Sequence, residues 1–294
     1  VSRAALVKKL EVRLKQAAKA GAVMQLVVER DYVQSYVLFG ISRVPELRDT
    51  LVFKGGTALK KIHLGDYRFS EDLDFSAVDS PKADALEAAL RTAIGEAQKA
   101  AQVHGGTVLS IERYVEKKPH PGGQEAFTIR AQLPWHRAPA VPVLIEITHD
   151  EPVLLPAPFL PVLHGYGEEL EAAAKAYTLD EIAAEKLRST RQTLAKLLAK
   201  GWARPRARDF FDLWHLTRLP AGRMDWKLVS EILAPKCAHR EVTIAAVSDV
   251  FDERVLAEVR AGWHKSLGPF VPVLPDVEQV LAETRQALDS LLIL

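Results

Sequence analysis

The alternation of apolar and polar positions divides the chain into two stretches of different character. From Val1 to Gly40 the pattern is helical: Leu6, Leu10, Val12 and Leu14 recur at mixed three- and four-residue steps, with Lys8, Lys9, Arg13 and Lys15 between them. The segment Gln25 to Phe39 is more apolar and reads as a buried helix. Leu51-Val52-Phe53 is a short β-like run ending in Lys54-Gly55-Gly56, after which Thr57 to His63 is again helical. Leu73 to Ser76 suits a strand, with Asp72 and Asp74 pointing to one face and Leu73 and Phe75 to the other. An alanine-rich helix over Pro81 to Gln102 precedes strands over Thr107 to Val115, Ala126 to Leu133 and Val141 to Thr148. Pro119, Pro121, Gly122 and Gly123 mark Glu116 to Gln124 as a hairpin loop.

Beyond Asp150 the pattern changes. Pro152, Pro156, Pro158 and Pro161 crowd a linker-like stretch, and almost everything after it reads as helix. Thr178-x-x-Glu181 is a capping box that opens a helix from Leu179 to about Leu198. Pro205 to Leu219, Trp226 to Leu233, Glu253 to Lys265 and Val277 to Leu292 supply further helices. The pattern predicts two domains, 1–160 with a small mixed sheet and N-terminal helices, and 161–294 wholly helical. There is no internal repeat.

Composition narrows the class. The 294 residues are 48% hydrophobic and 26% charged, enough apolar mass for a real core. The formal net charge of +1 argues neither for nor against a polyanionic partner. One cysteine, Cys237, excludes a disulfide framework and a cysteine-rich zinc site. The nine histidines show no H-x-x-x-H spacing, so a zinc hydrolase has no support, and His149, His164 and His215 read as packing or loop residues. No apolar run approaches the roughly 18 residues needed to cross a bilayer, and the start has no signal-like core. A cytoplasmic protein with no membrane partner is the expectation.

Two segments carry unusual chemistry. Phe53-Lys-Gly-Gly-Thr-Ala-Leu59 is followed, one short helix later, by Ser70-Glu-Asp-Leu-Asp-Phe-Ser76. Two carboxylates at i and i+2 on a strand project side by side and repel unless a cation sits between them. A hard divalent ion with oxygen ligands, Mg²⁺ in particular, is the natural occupant. A Gly-Gly turn entering a helix offers backbone N–H groups to a polyphosphate, and Thr57 can add a hydroxyl donor. Cradle plus metal pair describes nucleotidyl transfer from an NTP. Glu146, an acid inside the apolar strand Val143 to Ile147, is the expected third carboxylate, with Asp150 in reserve on the same face by parity. Ser70 lies two residues before Asp72, and strand alternation predicts that its hydroxyl shares their face. There it can bond a donor phosphate, and phosphorylation would block the site.

Lys54-Gly-Gly-Thr-Ala-Leu59 followed by Arg68-Phe-Ser-Glu-Asp-Leu-Asp-Phe75 resembles the AbiEii/AbiGii family of bacterial nucleotidyltransferase toxins, within the polymerase-β-like superfamily. Leu179-Asp-Glu-Ile-Ala-Ala-Glu-Lys-Leu-Arg188 and Arg208-Asp-Phe-Phe-Asp-Leu213 resemble that family's lysine and R-D-x-x-D-L motifs. In length and motif layout the chain is similar to the mycobacterial branch called MenT toxins. The resemblance implies an α+β fold: a polymerase-β-like nucleotidyltransferase core with a small mixed sheet, followed by a helical C-terminal domain. It implies catalytic roles for Asp72, Asp74, Lys186 and Asp209, and metal binding (Mg²⁺ or Mn²⁺) by Asp72, Asp74 and Glu146. Nucleotide binding falls to Lys54, Gly55, Gly56, Thr57, Ser70 and Arg208. It further implies a cognate antitoxin and, as acceptor, the 3′ end of tRNA, whose extension stops translation. Transfer to a protein hydroxyl and a silent nucleotide- or RNA-binding module are the alternatives.

On its residues alone, Lys186 can neutralise phosphate charge, and Asp209 can orient that lysine or Arg208. From Lys186 to Arg208 there are eight Lys or Arg and no Asp or Glu. Lys196 and Lys200 read as a solvated face, although such an excess also suits a triphosphate or an RNA backbone. Trp202 and Trp214 flank the stretch and can stack on a base, with core packing favoured for Trp214.

Overall fold

The structure, a computed structural model, describes residues 2–114 and 123–293. The predicted hairpin loop at 116–124 therefore lies outside the described residues except for Gly123 and Gln124, as does Val115. Two compact units are present, Val1–Tyr177 and Thr178–Leu294.

The first unit runs α1 (Arg3–Ala20), α2 (Gln25–Arg43), α3 (Pro45–Arg48), β1 (Leu51–Lys54) and α4 (Gly55–Ala58). A π-helical stretch, Leu59–Leu64, continues α4, and then come β2 (Asp72–Ala77), α5 (Ala83–Val103), β3 (Val108–Tyr114), β4 (Gln124–Gln132) and β5 (Val141–Thr148). Two three-residue strands, β6 (Phe159–Pro161) and β7 (Ala173–Lys175), close it. The five-stranded sheet has the order β1-β2-β5-β4-β3. Within this sheet β2 and β5 run parallel and the other described ladders are antiparallel, so the sheet is mixed as expected. One face is apolar: Leu73, Phe75, Phe127, Ile129, Val143, Ile145 and Ile147 are all buried. Leu144, Glu146 and Thr148 alternate with them and remain partly accessible on the other face.

The core of this unit also holds charge. Lys61, on the π-helical stretch, places its ammonium 2.5 Å from the Asp31 carboxylate of α2, and both side chains are almost fully buried. The Ser35 hydroxyl accepts from the same ammonium at 2.9 Å, and the Tyr166 hydroxyl donates to Asp31 at 2.6 Å. Burial alone would raise the Asp31 carboxyl, but the Lys61 ammonium outweighs it and holds the pKa below the ordinary carboxylate range.

The second unit is helical: α6 (Leu179–Lys200), α7 (Ala207–Leu216), α8 (Trp226–His239), a 3₁₀ turn (Val247–Asp249), α9 (Glu253–Leu267) and α10 (Val277–Leu291). The Thr178 hydroxyl accepts from the Glu181 N–H, as the capping pattern requires. The Glu181 carboxylate is buried against the ammonium of Lys236 at 3.0 Å. That pairing explains why α8 runs through Pro235 to His239 instead of stopping near Leu233: the turn after the proline carries Lys236 and Cys237, both buried.

The division between units falls after Tyr177, later than composition indicates. β7 pairs with β6, Ala176 bridges Phe53, and the Tyr177 N–H donates to the Phe53 carbonyl at 3.0 Å. Residues 161–177 thus belong to the first unit, tied by strands too short to show a period. Among the described residues no helix is long and apolar enough to cross a membrane.

Replacing Asp31 with Asn leaves the Lys61 ammonium buried without its counter-charge. Urea unfolding at pH 7 should show a loss of about 3–5 kcal/mol, while the double change Asp31→Leu with Lys61→Met should lose much less.

Candidate active site

The sheet register assembles the first group of predicted residues. Asp74 is the ladder partner of Lys54 on β1 and of Glu146 on β5. Asp72 shares its face by alternation, so three carboxylates and one lysine from three adjacent strands lie on one side of the sheet. Lys54 is buried, its ammonium 5.8 Å from the centroid of the Tyr177 ring, and the Tyr177 hydroxyl lies 2.7 Å from that of Ser76. Glu146 accepts from the Gln124 side-chain amide at 2.7 Å. Asp150 lies beyond the end of β5, so strand parity does not reach it.

The glycine turn is fitted to the carboxylate strand at atomic range. Gly55 has φ +77°, and a Cβ built there would meet an Asp74 carboxylate oxygen at 2.5 Å. At Gly56 a Cβ would lie 2.5 Å from a terminal nitrogen of Arg68, so the missing side chain makes room for a guanidinium against the turn. Arg68 is buried and also donates to the Phe69 carbonyl at 3.2 Å. Its position was not among the candidate site residues, although the signal was present in the motif Arg68-Phe-Ser-Glu-Asp.

Two nucleotide-binding expectations change in kind. The Thr57 hydroxyl is buried and donates to the Asp72 carbonyl at 2.5 Å, so its hydrogen ties the turn to the strand instead of offering itself to a phosphate. Ser70 lies outside the ladder, which begins at Asp72, so alternation does not set its side chain. Its carbonyl, with that of Glu71, accepts from the Gln34 amide at 3.2 and 3.0 Å. The switch argued from Ser70's parity therefore loses its premise.

Gln34 and Arg30 were not read from the sequence at all. Arg30 donates to the Pro142 carbonyl at 3.0 Å and pairs with Glu71 at 2.8 Å, linking the starts of the two parallel strands that bear the carboxylates. Nothing in a helical stripe on α2 announces this, because the partners are about 40 and 110 residues away.

The second group lies within the second unit. Lys186 of α6 is 3.0 Å from Asp209 and 2.6 Å from Asp212, both on α7 and one turn apart. Asp212, the second acid of the R-D-x-x-D-L stretch, is fully buried and is the nearer partner. The Ser189 hydroxyl donates to Asp209 at 3.2 Å. Of the two partners open to Asp209, the structure gives it the Lys186 ammonium; the guanidinium beside it is that of Arg206, at 3.3 Å, and not that of Arg208. Arg208 instead donates to the Ser266 carbonyl at 3.0 Å and lies 4.7 Å from the Phe270 ring centroid, because successive helix positions diverge by about 100°. Burial would raise the Asp209 carboxyl, but Lys186 and Arg206 hold it well below the usual carboxylate range. Trp214 is half-buried and not in the core as expected: its indole N–H donates to Glu283 at 2.7 Å, and the Arg218 guanidinium lies 4.4 Å from its ring centroid.

A mixed sheet bearing paired carboxylates beside a glycine turn is the core of a nucleotidyltransferase. The chain belongs to the AbiEii family: the family model described as nucleotidyl transferase AbiEii toxin, type IV toxin–antitoxin system, matches residues 36–289. It is accordingly a nucleotidyltransferase toxin of a type IV toxin–antitoxin system. Its fold is similar to that of MenT4, a nucleotidyltransferase toxin from Mycobacterium tuberculosis, with a TM-score of 0.61 and 23% identity over 99% of this chain and 89% of that one. No curated protein sequence gives a significant match.

Two outcomes follow from this geometry. Gly55→Ala forces a methyl into the Asp74 carboxylate at a positive φ, and should cost about 1–3 kcal/mol in thermal or urea unfolding together with most of the transferase activity. Asp209 has a depressed folded pKa, so its contribution is present above the unfolded carboxylate pKa and lost as pH falls through the folded value. Asp209→Asn should therefore lower Tm at pH 7, and the gap to wild type should narrow steadily below about pH 4.

Proposed function

We propose that this enzyme transfers an NMP from an NTP to the 3′ end of a tRNA in the cytoplasm, and that a cognate antitoxin opposes it. The reading rests above all on one observation: Asp72, Asp74 and Glu146 share one face of the sheet while Gly55 touches the Asp74 carboxylate. In transfer, the acceptor hydroxyl oxygen forms a bond to the α-phosphorus, the bond from that phosphorus to the β-bridging oxygen breaks, and pyrophosphate leaves. The hydroxyl proton passes to the carboxylate face or to water.

The fold family implies a divalent cation, Mg²⁺ or Mn²⁺. The donor set fits by chemistry, since it is carboxylate oxygen throughout. Among the described residues no three His, Cys, Asp or Glu side chains are gathered into a closed ligand cluster. Asp72 and Asp74 are thus the residues that would hold the ion, with Glu146 beside Asp74. When bound, it would offset negative charge on the triphosphate and the leaving pyrophosphate. Lys54, which immediately precedes the glycine turn, and Arg68, which lies against Gly56, are proposed to face the phosphates. For Lys186 we propose a role in neutralising phosphate charge, in keeping with the motif it occupies; Asp209 and Asp212 fix its ammonium.

The test incubates pure protein with Mg²⁺, each α-labelled NTP, and total RNA or protein. Label should enter the 3′ end of tRNA, and chelation should stop it; label found only on protein overturns the tRNA acceptor. Asp72→Ala should abolish transfer and toxicity while keeping or slightly raising Tm, because it relieves carboxylate repulsion. Lys186→Ala should cost at least about tenfold in rate, with Lys186→Arg a partial rescue. Full activity in the alanine variant would make Lys186 purely structural.

A further inference from the structure

Within the second unit, the end of α6 and the loop after it form a face whose chemistry the proposed transfer step does not use. Lys196 and Lys200 are exposed on α6, one turn apart. Gly201 ends the helix in the left-handed conformation at φ +69°, which turns the chain sharply at Trp202. Trp202 is 71% exposed, and Leu198, one turn back, is 63% exposed. Arg204, also exposed, and Arg206 lie two and four residues beyond the tryptophan.

The cations also converge in space. The Lys196 ammonium is held below its ordinary range by partial burial and by the charges of Arg206, Lys200, Arg188 and Arg240. Arg240 ends α8, so sequence spacing alone could not have placed it there. Two of these arginines have acid partners: Arg188 pairs with Glu185 at 3.6 Å, and Arg206 with Asp209 at 3.3 Å. Asp252 is close enough to Arg191 to feel its charge, and it pairs with Arg254 at 2.7 Å. The exposed cations Lys196, Lys200 and Arg204 on this face present positive charge that a polyanion can meet. A large, exposed indole at the edge of that field adds a flat apolar surface.

We propose that Lys196, Lys200, Arg204 and Trp202 form a docking surface for single-stranded RNA, with phosphates on the cations and one base stacked on the Trp202 indole. This rests on the RNA-acceptor reading and assigns the acceptor a grip outside the reacting atoms. Stacking distinguishes RNA from an acidic protein segment, which would use the cations but not the indole face. Phosphate contacts give affinity without sequence preference, and the stacked base fixes the strand along its own axis.

The experiment measures binding of a fluorescein-labelled single-stranded RNA of about 12 nucleotides by anisotropy, without NTP, across a salt series. Trp202→Ala should weaken binding roughly tenfold and abolish the quenching of tryptophan fluorescence that accompanies it. Lys196→Ala with Lys200→Ala should flatten the plot of log affinity against log salt by about 1.4, near 0.7 for each phosphate contact removed. In transfer assays the Trp202 variant should show a raised KM for RNA with kcat retained at saturation. Wild-type affinity and salt slope in both variants would overturn the surface. So would polyglutamate displacing the RNA at equal charge with Trp202→Ala behaving as wild type, which would point to an acidic protein partner. The binding assay involves no chemistry, so failure of NMP transfer to RNA overturns the acceptor reading while leaving the binding result to stand alone.

Discussion

The site depends on the contact between Gly55 and Asp74. The backbone of the glycine turn comes so close to the carboxylate that any Cβ would lie 2.5 Å from its oxygen, and φ is +77° at the same residue. Only glycine satisfies both conditions. This approach brings the turn and the acidic strand together as one body, with the Thr57 hydroxyl locked onto the Asp72 carbonyl as a second tie. Next to it, the absence of a Cβ at Gly56 seats the Arg68 guanidinium. The two glycines therefore do different work: one admits an anion, the other a cation.

Several ammonium groups are held by burial with a carboxylate partner. Lys61 with Asp31, Lys236 with Glu181, and Lys186 with Asp209 and Asp212 each hold an ammonium almost out of water against carboxylate oxygen. Such pairs add little net stability over an apolar core but punish the loss of one partner severely. They fix register and orientation: Lys61 anchors the π-helical stretch that continues the glycine turn, and Lys236 holds the turn of α8 that follows Pro235.

The AbiEii assignment and the site chemistry support each other without being the same evidence. The family match covers residues 36–289 and thereby includes both the carboxylate strand and the lysine helix. The likeness to MenT4, at 23% identity, speaks to the fold. What this chain's own residues add is the Arg68 guanidinium seated against Gly56 and the pair of carboxylates holding Lys186.

The sequence by itself determined the longer elements and the carboxylate pair, because both are local. A two-residue period puts Asp72 and Asp74 on one face whatever surrounds them, and a helical period with a threonine cap fixes α6. Glu146 was legible for the same reason, as an acid alternating with apolar residues in β5. Parity failed where the strand ended, at Ser70 and Asp150, since alternation holds only inside a ladder. Tertiary structure alone decided that Asp74 lies between Lys54 and Glu146, that Arg206 and not Arg208 faces Asp209, and that Asp212 is the nearer partner of Lys186. It also decided that Gln34 and Arg30 clamp the starts of the parallel strands. Each of these depends on which distant segments meet and on the direction a side chain leaves its helix. That is set by the burial of the whole apolar face at once, and no window of sequence contains it.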